Sequence, residues 1–531
     1  MKSFIYLLTA LSVLSTAHAA PQKAVAKAQK AVAKAKAQSN TSVTEKPGSS
    51  VMNSQLKRAL EMAQGGEVQG AAAALFTLGK RSELTKERAQ IKYILGLMLM
   101  EMGLNQTAAF QFVDVIRQGD PKYTKLAVEK LSVVADGLGD DTLLNYALNK
   151  MDFSEVPTAR QDMINFRIGE IKLKNREFTA AEENFGKVKP GSSHYSQAIY
   201  NLGLAQLEQK KIDESIKTFQ RLLEIRSAAG VTDTNRVAAQ LSIARALYQK
   251  QDWDQAVIEY SKIPRDHFLW HQAIFEQSWA MLRGARFRSA LSNFQSLHSA
   301  YYEDFYIPES LLLRSIVYLY ICKYDEMEKV LGLFEKTYGP VSGKIKDFVQ
   351  KADQTAYFNE AEKAWTYRKG RDMTSSMRVP YLVMRNVLND GEVRRGFQYL
   401  KALEEEKESV ERNYAFKNSP LGGYALKVIQ GRMKNTKLAI ADLVKANLLN
   451  MRAELKDLYE QAGFIRYEMI NGKKEVLKKK VAGTFESETQ IDEKRDREFY
   501  IQNGYEYYPF RGEFWLDEIG NYHYLGKSSC E

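Results

Sequence analysis

Outside its N-terminus the sequence contains no apolar run long enough to cross a bilayer, which excludes an interior transmembrane helix. It also lacks the common phosphate-binding signatures, with no G-x-x-x-x-G-K-[ST] loop and no dinucleotide fingerprint. Ser342 lies in Gly339-Pro340-Val341-Ser342-Gly343, which does not have the spacing of a hydrolase nucleophile elbow. The one histidine pair at ligand spacing, His267 and His271, falls on a predicted helix but has no third ligand in view and no Glu directly after His267. Phe268-Leu269-Trp270 between them reads as packing at the start of a helix. Asp517 and Glu518 beside Trp515 are adjacent on a turn, whereas glycan cleavage needs a separated acid and base. No catalytic residue, metal or cofactor is expected, and the protein is read as a non-enzyme. Cysteine is nearly absent: Cys322 and Cys530 are the only two in 531 residues. An even pair in an oxidising compartment suggests a bridge; the alternative is a packed Cys322 and an unpaired Cys530.

The single long apolar run is N-terminal. Lys2 precedes the stretch from Phe4 to Leu14, and Ala17-His18-Ala19 supplies an A-x-A cleavage site before Ala20, the pattern of a secretory signal peptide over residues 1–19. No cysteine follows that site, so the lipid attachment of bacterial lipoproteins is not expected, and the mature chain is read as exported to a Gram-negative periplasm. A net charge of +11 would suggest nucleic acid for a cytosolic protein, and export argues against that. Anionic envelope polymers, lipid head groups or acidic proteins suit a basic exported chain, although excess charge also aids solubility. Residues 20–53 form a basic Ala/Lys-rich arm and linker in which Gln22–Ala28 is repeated from Gln29 to Ala35. Almost nothing there can bury, so disorder or a transient helix is expected, serving as a spacer or as a tether to an anionic polymer or membrane surface.

From residue 54 to 340 a small residue followed four places later by an aromatic recurs at a step near 34 residues. The pairs are Ala72/Phe76, Ala108/Phe112, Ala181/Phe185, Ser215/Phe219, Ala256/Tyr260 and Ala290/Phe294, with Met327/Leu331 as a worn copy. Another small residue stands twelve places earlier in most of them: Gly96, Gly169, Gly203, Ala244, Ser278 and Ser315. Small residues at both places let two helices cross closely, and the aromatic is expected to fill the gap to the next pair. A helix pair of this kind cannot bury its apolar face alone and stacks on its neighbours. Residues 122–155 are the weakest unit, interrupted at Gly137–Asp141, and the longer gap before Tyr260 implies an inserted loop at Ser227–Asn235.

After Pro340 the period disappears while helical composition persists. Residues 341–483 are read as a helical region, with short helices and turn residues such as Gly370 over 344–375. Val444, Leu448, Met451, Leu455, Leu458, Ala462, Ile465 and Met469 alternate in steps of 4 and 3, the seam of a helix of ~45 residues and ~65 Å. Leu400, Leu403, Val410 and Tyr414 on the preceding helix are expected to fold back on that seam across the break at Pro420–Gly423; an intermolecular coiled coil is the rival. Residues 484–531 are rich in aromatics, with turn signals at Asn503-Gly504 and at Asp517–Asn521, and are read as a small β module of two hairpins.

Residues 54–340 resemble a tetratricopeptide array. The resemblance implies an all-α right-handed solenoid of seven or eight helix pairs, followed here by the long helical hairpin and the β module. It also implies a groove lined by the first helix of each pair, which holds extended segments or helices of partners. By motif position the groove residues are Tyr93, Leu97, Tyr200, Leu204, Leu241, Arg245, Tyr248, Phe275, Trp279 and Leu282, each either an anchor for a partner or internal packing. Trp279, Tyr248 and Arg245 are expected to meet on one patch with a positive centre. The Lys and Asn that clamp a carboxylate tail elsewhere in the family are replaced by Tyr, Leu and Phe. The implied function is a scaffold or assembly factor of a bacterial envelope complex, of outer-membrane-assembly, secretion or gliding-motility type, with other envelope proteins as partners and no nucleic acid. A cell-wall-binding or cell-wall-active accessory protein, using the aromatic end or the basic arm, is the alternative.

Overall fold

The structure is a computed structural model, and it describes residues 49–148, 161–225, 233–303, 305–367, 376–482 and 512–524. The leader, the basic arm, Gly370, the turn at Asn503-Gly504 and Cys530 lie outside the described residues. Every regular element among the described residues is a helix.

Seven helix pairs follow one plan. α1 (Ser49–Gln64) with α2 (Val68–Leu78) and α3 (Arg88–Glu101) with α4 (Asn105–Gln118) come first. The weak unit, α5 (Pro121–Leu138) and α6 (Thr142–Leu148), stands between these and the rest. Then come α7 (Gln161–Lys174) with α8 (Phe178–Gly186), α9 (Tyr195–Glu208) with α10 (Ile212–Glu224), and α11 (Asp233–Gln249) with α12 (Trp253–Ser261). α13 (Trp270–Arg283) with α14 (Phe287–Leu297) and α15 (Pro308–Tyr320) with α16 (Tyr324–Lys351) complete the set.

The small-residue pattern acts inside each pair. A methyl group on Gly96, Gly169 or Gly203 would come within 2.5–2.6 Å of the ring of Phe112, Phe185 or Phe219. Across the same crossing Ser215 Oγ donates to the Gly203 carbonyl at 2.9 Å. Phe112, Phe185 and Phe219 therefore fill their own pairs, and not the seam to the next one as the spacing suggested, whereas Tyr260 reaches Glu276 on the first helix of the next pair. The residue two places before each second helix is left-handed: Gly66, Gly103, Arg176, Lys210, Gln251, Ala285 and Cys322 have φ between 56° and 90°. The following N–H bonds the carbonyl five residues back, as in Lys211 to Gln206 at 3.0 Å and Leu104 to Leu99 at 2.8 Å, which closes a Schellman turn. The L-residues among them hold this conformation at roughly 1–2 kcal/mol each. Asp120 starts α5 by accepting from Lys122 N at 3.0 Å and Tyr123 N at 3.1 Å, with Pro121 at the first helical position.

Several expectations for the second half change. The 28-residue α16 runs through Pro340, where the sequence placed the end of the array. Phe334 and Tyr338 before the proline and Val341, Ile345 and Phe348 after it are all buried. That burial offsets the ~3 kcal/mol an interior proline costs. α17 (Gln354–Tyr367), α18 (Tyr381–Asn389), α19 (Gly391–Arg412) and α20 (Tyr414–Lys417) follow. The last helix, α21 (Pro420–Val481), is 62 residues long, about 93 Å at 1.5 Å per residue, against the ~45 expected.

The described residues fall into two compact units, 49–161 with 392–440 and 162–391 with 441–482 and 512–524. In the first, α19 and the start of α21 form the expected antiparallel hairpin, where Gly396 lies so close to Ile440 that a Cβ would sit 2.7 Å away. Leu400, Leu403 and Val410 are buried, but Tyr414 is 81% exposed and packs on nothing. In the second, every seam residue from Val444 to Met469 is buried. Its partner there is α16 and not α19: Tyr459 meets Phe334 with ring centroids 4.9 Å apart, Arg466 pairs with Glu335 at 2.8 Å, and Lys473 with Glu328 at 2.7 Å.

The second turn of the expected β module is present, but no strands flank it among the described residues. Gly520 N in the turn donates to Ser296 Oγ at 2.7 Å and Tyr524 N on the expected strand to Ser292 Oγ at 2.8 Å, so a backbone group that would have built a ladder is bonded to α14 instead. Arg265 Nη1 holds the Asp517 carbonyl at 2.9 Å. Buried Ile519, rather than Trp515, anchors the turn.

Candidate protein-binding site

The first helices α9, α11 and α13 carry most of the expected groove. Tyr200, Leu204 and Leu241 are buried in the packing between helices. Tyr200 Oη lies 3.3 Å from Ser242 Oγ on α11, and its pKa is raised by burial. Arg245 does not provide a free positive centre. Its Nε donates to Glu276 Oε2 at 2.8 Å and its Nη2 to Glu276 Oε1 at 2.7 Å, a bidentate pair between α11 and α13. Tyr260 Oη donates to the same carboxylate at 3.1 Å. Burial works against the guanidinium charge, but the Glu276 carboxylate more than offsets it and raises the Arg245 pKa. Tyr260, raised well above its ordinary value by burial first and Glu276 second, stays a neutral donor.

Glu276, the partner that sequence reasoning missed, stands 31 residues after Arg245. That is one turn short of the 34-residue step from Ala244 to Ser278, so an Arg and a Glu offset by one turn on successive first helices was the available signal. Gln277 belongs to the same polar layer, donating to the Val257 carbonyl at 3.0 Å and accepting from Asn293 Nδ2 at 3.0 Å.

Four expected residues of this unit remain half-buried: Tyr248 on α11 and Phe275, Trp279 and Leu282 on α13. Tyr248 meets Trp253 edge-on at 4.9 Å between centroids. Trp279 Nε1 is buried without a hydrogen-bond acceptor among the described residues, and the rest of its ring is half-exposed. In the other unit, Tyr93 on α3 packs between Phe112 at 6.0 Å and Tyr123 at 5.8 Å, and burial pushes its hydroxyl up to about 12. Leu97, one turn on, is half-buried.

The histidine pair does not form a ligand set. His267 lies in the turn before α13 and not on the helix, so the two rings do not share a helix face. His271 stands 4.0 Å from the Phe305 ring, and burial lowers its pKa to about 4. Among the described residues no three of His, Cys, Asp and Glu converge as a metal-holding group, and no helix is long and apolar enough to cross a membrane. Cys322 occupies the left-handed turn position between α15 and α16; Cys530, its expected partner, is outside the described residues.

Residues 197–225, most of α9 and α10, match the family model of the tetratricopeptide repeat. That stretch of the chain is a tetratricopeptide repeat. No curated protein matches its sequence. Among solved structures, the Rap protein complexed with competence and sporulation factor is 12% identical, with 67% of this chain and 99% of that chain covered and a TM-score of 0.29. The tetratricopeptide domain of P58(IPK) is also 12% identical, with 72% and 98% covered and a TM-score of 0.18. Tetratricopeptide arrays are protein-interaction scaffolds, since stacked helix pairs create extended surfaces for another chain.

Proposed function

We propose that the chain is a non-enzymatic periplasmic scaffold or assembly factor of a bacterial envelope complex, holding a partner protein on the first helices of its repeats. One observation carries this reading: the added elements hold second helices through the contacts that follow, and touch first helices nearer their ends, as Gly520 does at Trp270 on α13. Tyr424 of α21 meets Phe76 on α2 and Gln111 on α4, and Asn413 meets Gln69 on α2. In the other unit α21 is held by α16, and the 512–524 turn by α14. On the first-helix face Tyr248, Phe275, Trp279 and Leu282 are half-buried, and this reading gives them to the partner. Aromatic side chains carry interface energy disproportionately because they bury large area with few rotamers. The export signal at residues 1–19 supports the compartment.

A photo-crosslinking residue placed at 279 in the full chain is expected to capture an exported envelope protein. Trp279→Ala should weaken that partner by about 2 kcal/mol while the melting temperature holds. A variant that melts normally and keeps full affinity would remove this face from consideration. The exposure of Trp515, 57%, and Leu516, 65%, supports a second reading in which the C-terminal turn contacts cell-wall glycan. Retention of the chain on peptidoglycan that is lost in Trp515→Ala would favour it.

A further inference from the structure

Helix α21 presents two apolar stripes, and only one of them is packed. The packed seam passes through Ala462, Ile465 and Met469, all buried. The second begins at Phe464, 74% exposed, and continues through Tyr467 at 62%, Ile470 at 55%, Leu477 at 61% and Val481 at 89%. With Lys474 between Ile470 and Leu477, positions 467, 470, 474, 477 and 481 alternate in steps of 3 and 4, so they share a line about a third of a turn from the seam. Ile470, Lys473, Lys474, Leu477, Lys478, Val481 and Ala482 border one continuous surface patch. Lys473 is held by Asp325 at 2.9 Å and Glu328 at 2.7 Å on α16. Beyond it Lys474, Glu475, Leu477, Lys478 and Lys479 are all exposed.

We propose that this end of α21 is a docking surface for an anionic lipid bilayer, lying in the headgroup region with its second stripe down. Charge selects the occupant: residues 473–480 contain five lysines against one glutamate. A second copy of the chain would set lysine against lysine along the whole contact. An anionic interface accepts the ammonium groups while their stems extend from the apolar stripe, and Phe464 and Tyr467 suit the boundary between acyl chains and headgroups. The shape agrees. The residues bordering the patch belong to α21 and, at Ala482, the turn that ends it, so the surface is a convex ridge. A fluid lipid face can conform to a ridge, whereas a folded protein partner would need a groove cut to fit it.

The test uses the mature full chain and flotation with phosphatidylcholine vesicles, with and without phosphatidylglycerol. Flotation is expected only with the anionic lipid and should weaken as salt rises. The basic arm at residues 20–40 can also attract anionic vesicles, so the deciding variant leaves every charge in place. Leu477→Ser with Val481→Ser should weaken binding about tenfold or more, because the apolar insertion is lost. Lys474→Ala and Lys478→Ala should each weaken it about fivefold. Both pairs of positions are solvent-exposed, and unchanged circular dichroism checks the fold. Undiminished binding by the serine variant, equal binding to neutral vesicles, or no binding by the wild type would each overturn the proposal. So would a lipid-free dimer, seen by sedimentation velocity, that the serine variant abolishes.

Discussion

Removing the Glu276 carboxylate tests how the repeats hold each other. Three hydrogen bonds end on that group, two from Arg245 and one from Tyr260. The Glu276 side chain is 5% exposed and that of Arg245 17%, so water reaches the pair poorly. Glu276→Ala leaves a guanidinium desolvated and without its counter-charge, which costs about 3–5 kcal/mol; the partial exposure of Arg245 places the value near 3. Over a unit of this size that lowers the melting temperature by roughly 6–12 °C. Replacing both charged residues, Arg245→Met with Glu276→Met, should recover most of the loss, because the pair's attraction roughly balances its desolvation. A remainder of about 1 kcal/mol belongs to the orphaned Tyr260 hydroxyl. Urea unfolding followed by circular dichroism, run on the two single variants and the double variant, measures the coupling. A loss below about 1 kcal/mol in Glu276→Ala, together with weakened partner binding in Arg245→Met, would refute the argument and return Arg245 to the ligand-facing role its spacing suggested.

Gly203→Ala should destabilise by about 1–3 kcal/mol despite better helix propensity, since its Cβ would meet the fully buried Phe219 ring at 2.6 Å, and Phe219→Leu should partly rescue it in a double-mutant cycle. Ala285→Gly should stabilise by about 0.5–1 kcal/mol in thermal unfolding, because the turn demands φ of 56°; an equal loss instead would show that the left-handed conformation carries no strain. Burial pushes Glu406 up to about 8, although its carboxylate accepts from Gln106 N at 2.8 Å. A folded pKa above the unfolded one means stability is full below the ordinary carboxylate value and is lost as pH rises to about 8; Glu406→Gln should flatten that decline, read as melting temperature against pH. Glu454, pushed to about 7 by burial and then by Glu309, acts in the same direction in the other unit. Non-reducing peptide mapping should show Cys322 joined to Cys530, the bridge an even pair forms in an oxidising compartment; a free thiol at Cys530 would exclude it.

The parts of the fold legible in the sequence were those written in side-chain size. Gly203, Ser215 and Phe219 announce a close helix crossing because little else fits there, and Val444 to Met469 announce a seam through their spacing alone. What the seam packs against was not legible, because α16 and α19 both offer apolar stripes and only tertiary contact chooses between them. Pro340 misled for a physical reason: a local penalty of ~3 kcal/mol is outweighed by burial on either side of it. The left-handed turns went unseen because Arg176, Lys210 and Gln251 occupy positions where glycine would have marked them. At the candidate site the aromatic positions were visible, but the neutralising Glu276 was hidden because it stands one turn off the place that matches Arg245 in the next repeat. The C-terminal turn kept its Asp517–Asn521 signal, while its flanks found hydrogen bonds on α14 that no local pattern encodes.

The uniform turn within each pair has a consequence for how this molecule can be lengthened. Because each second helix starts two residues after a left-handed position, the joint inside a pair has one permitted length and one permitted phase. Between pairs the chain is less constrained: two residues separate α4 from α5, eight separate α8 from α9, and ten separate α14 from α15. Foreign sequence, protease sites or a circular permutation should therefore be admitted at the junctions between hairpins and rejected at the bends inside them. The molecule can be edited in whole hairpins, with each bend acting as a hinge pin of fixed gauge.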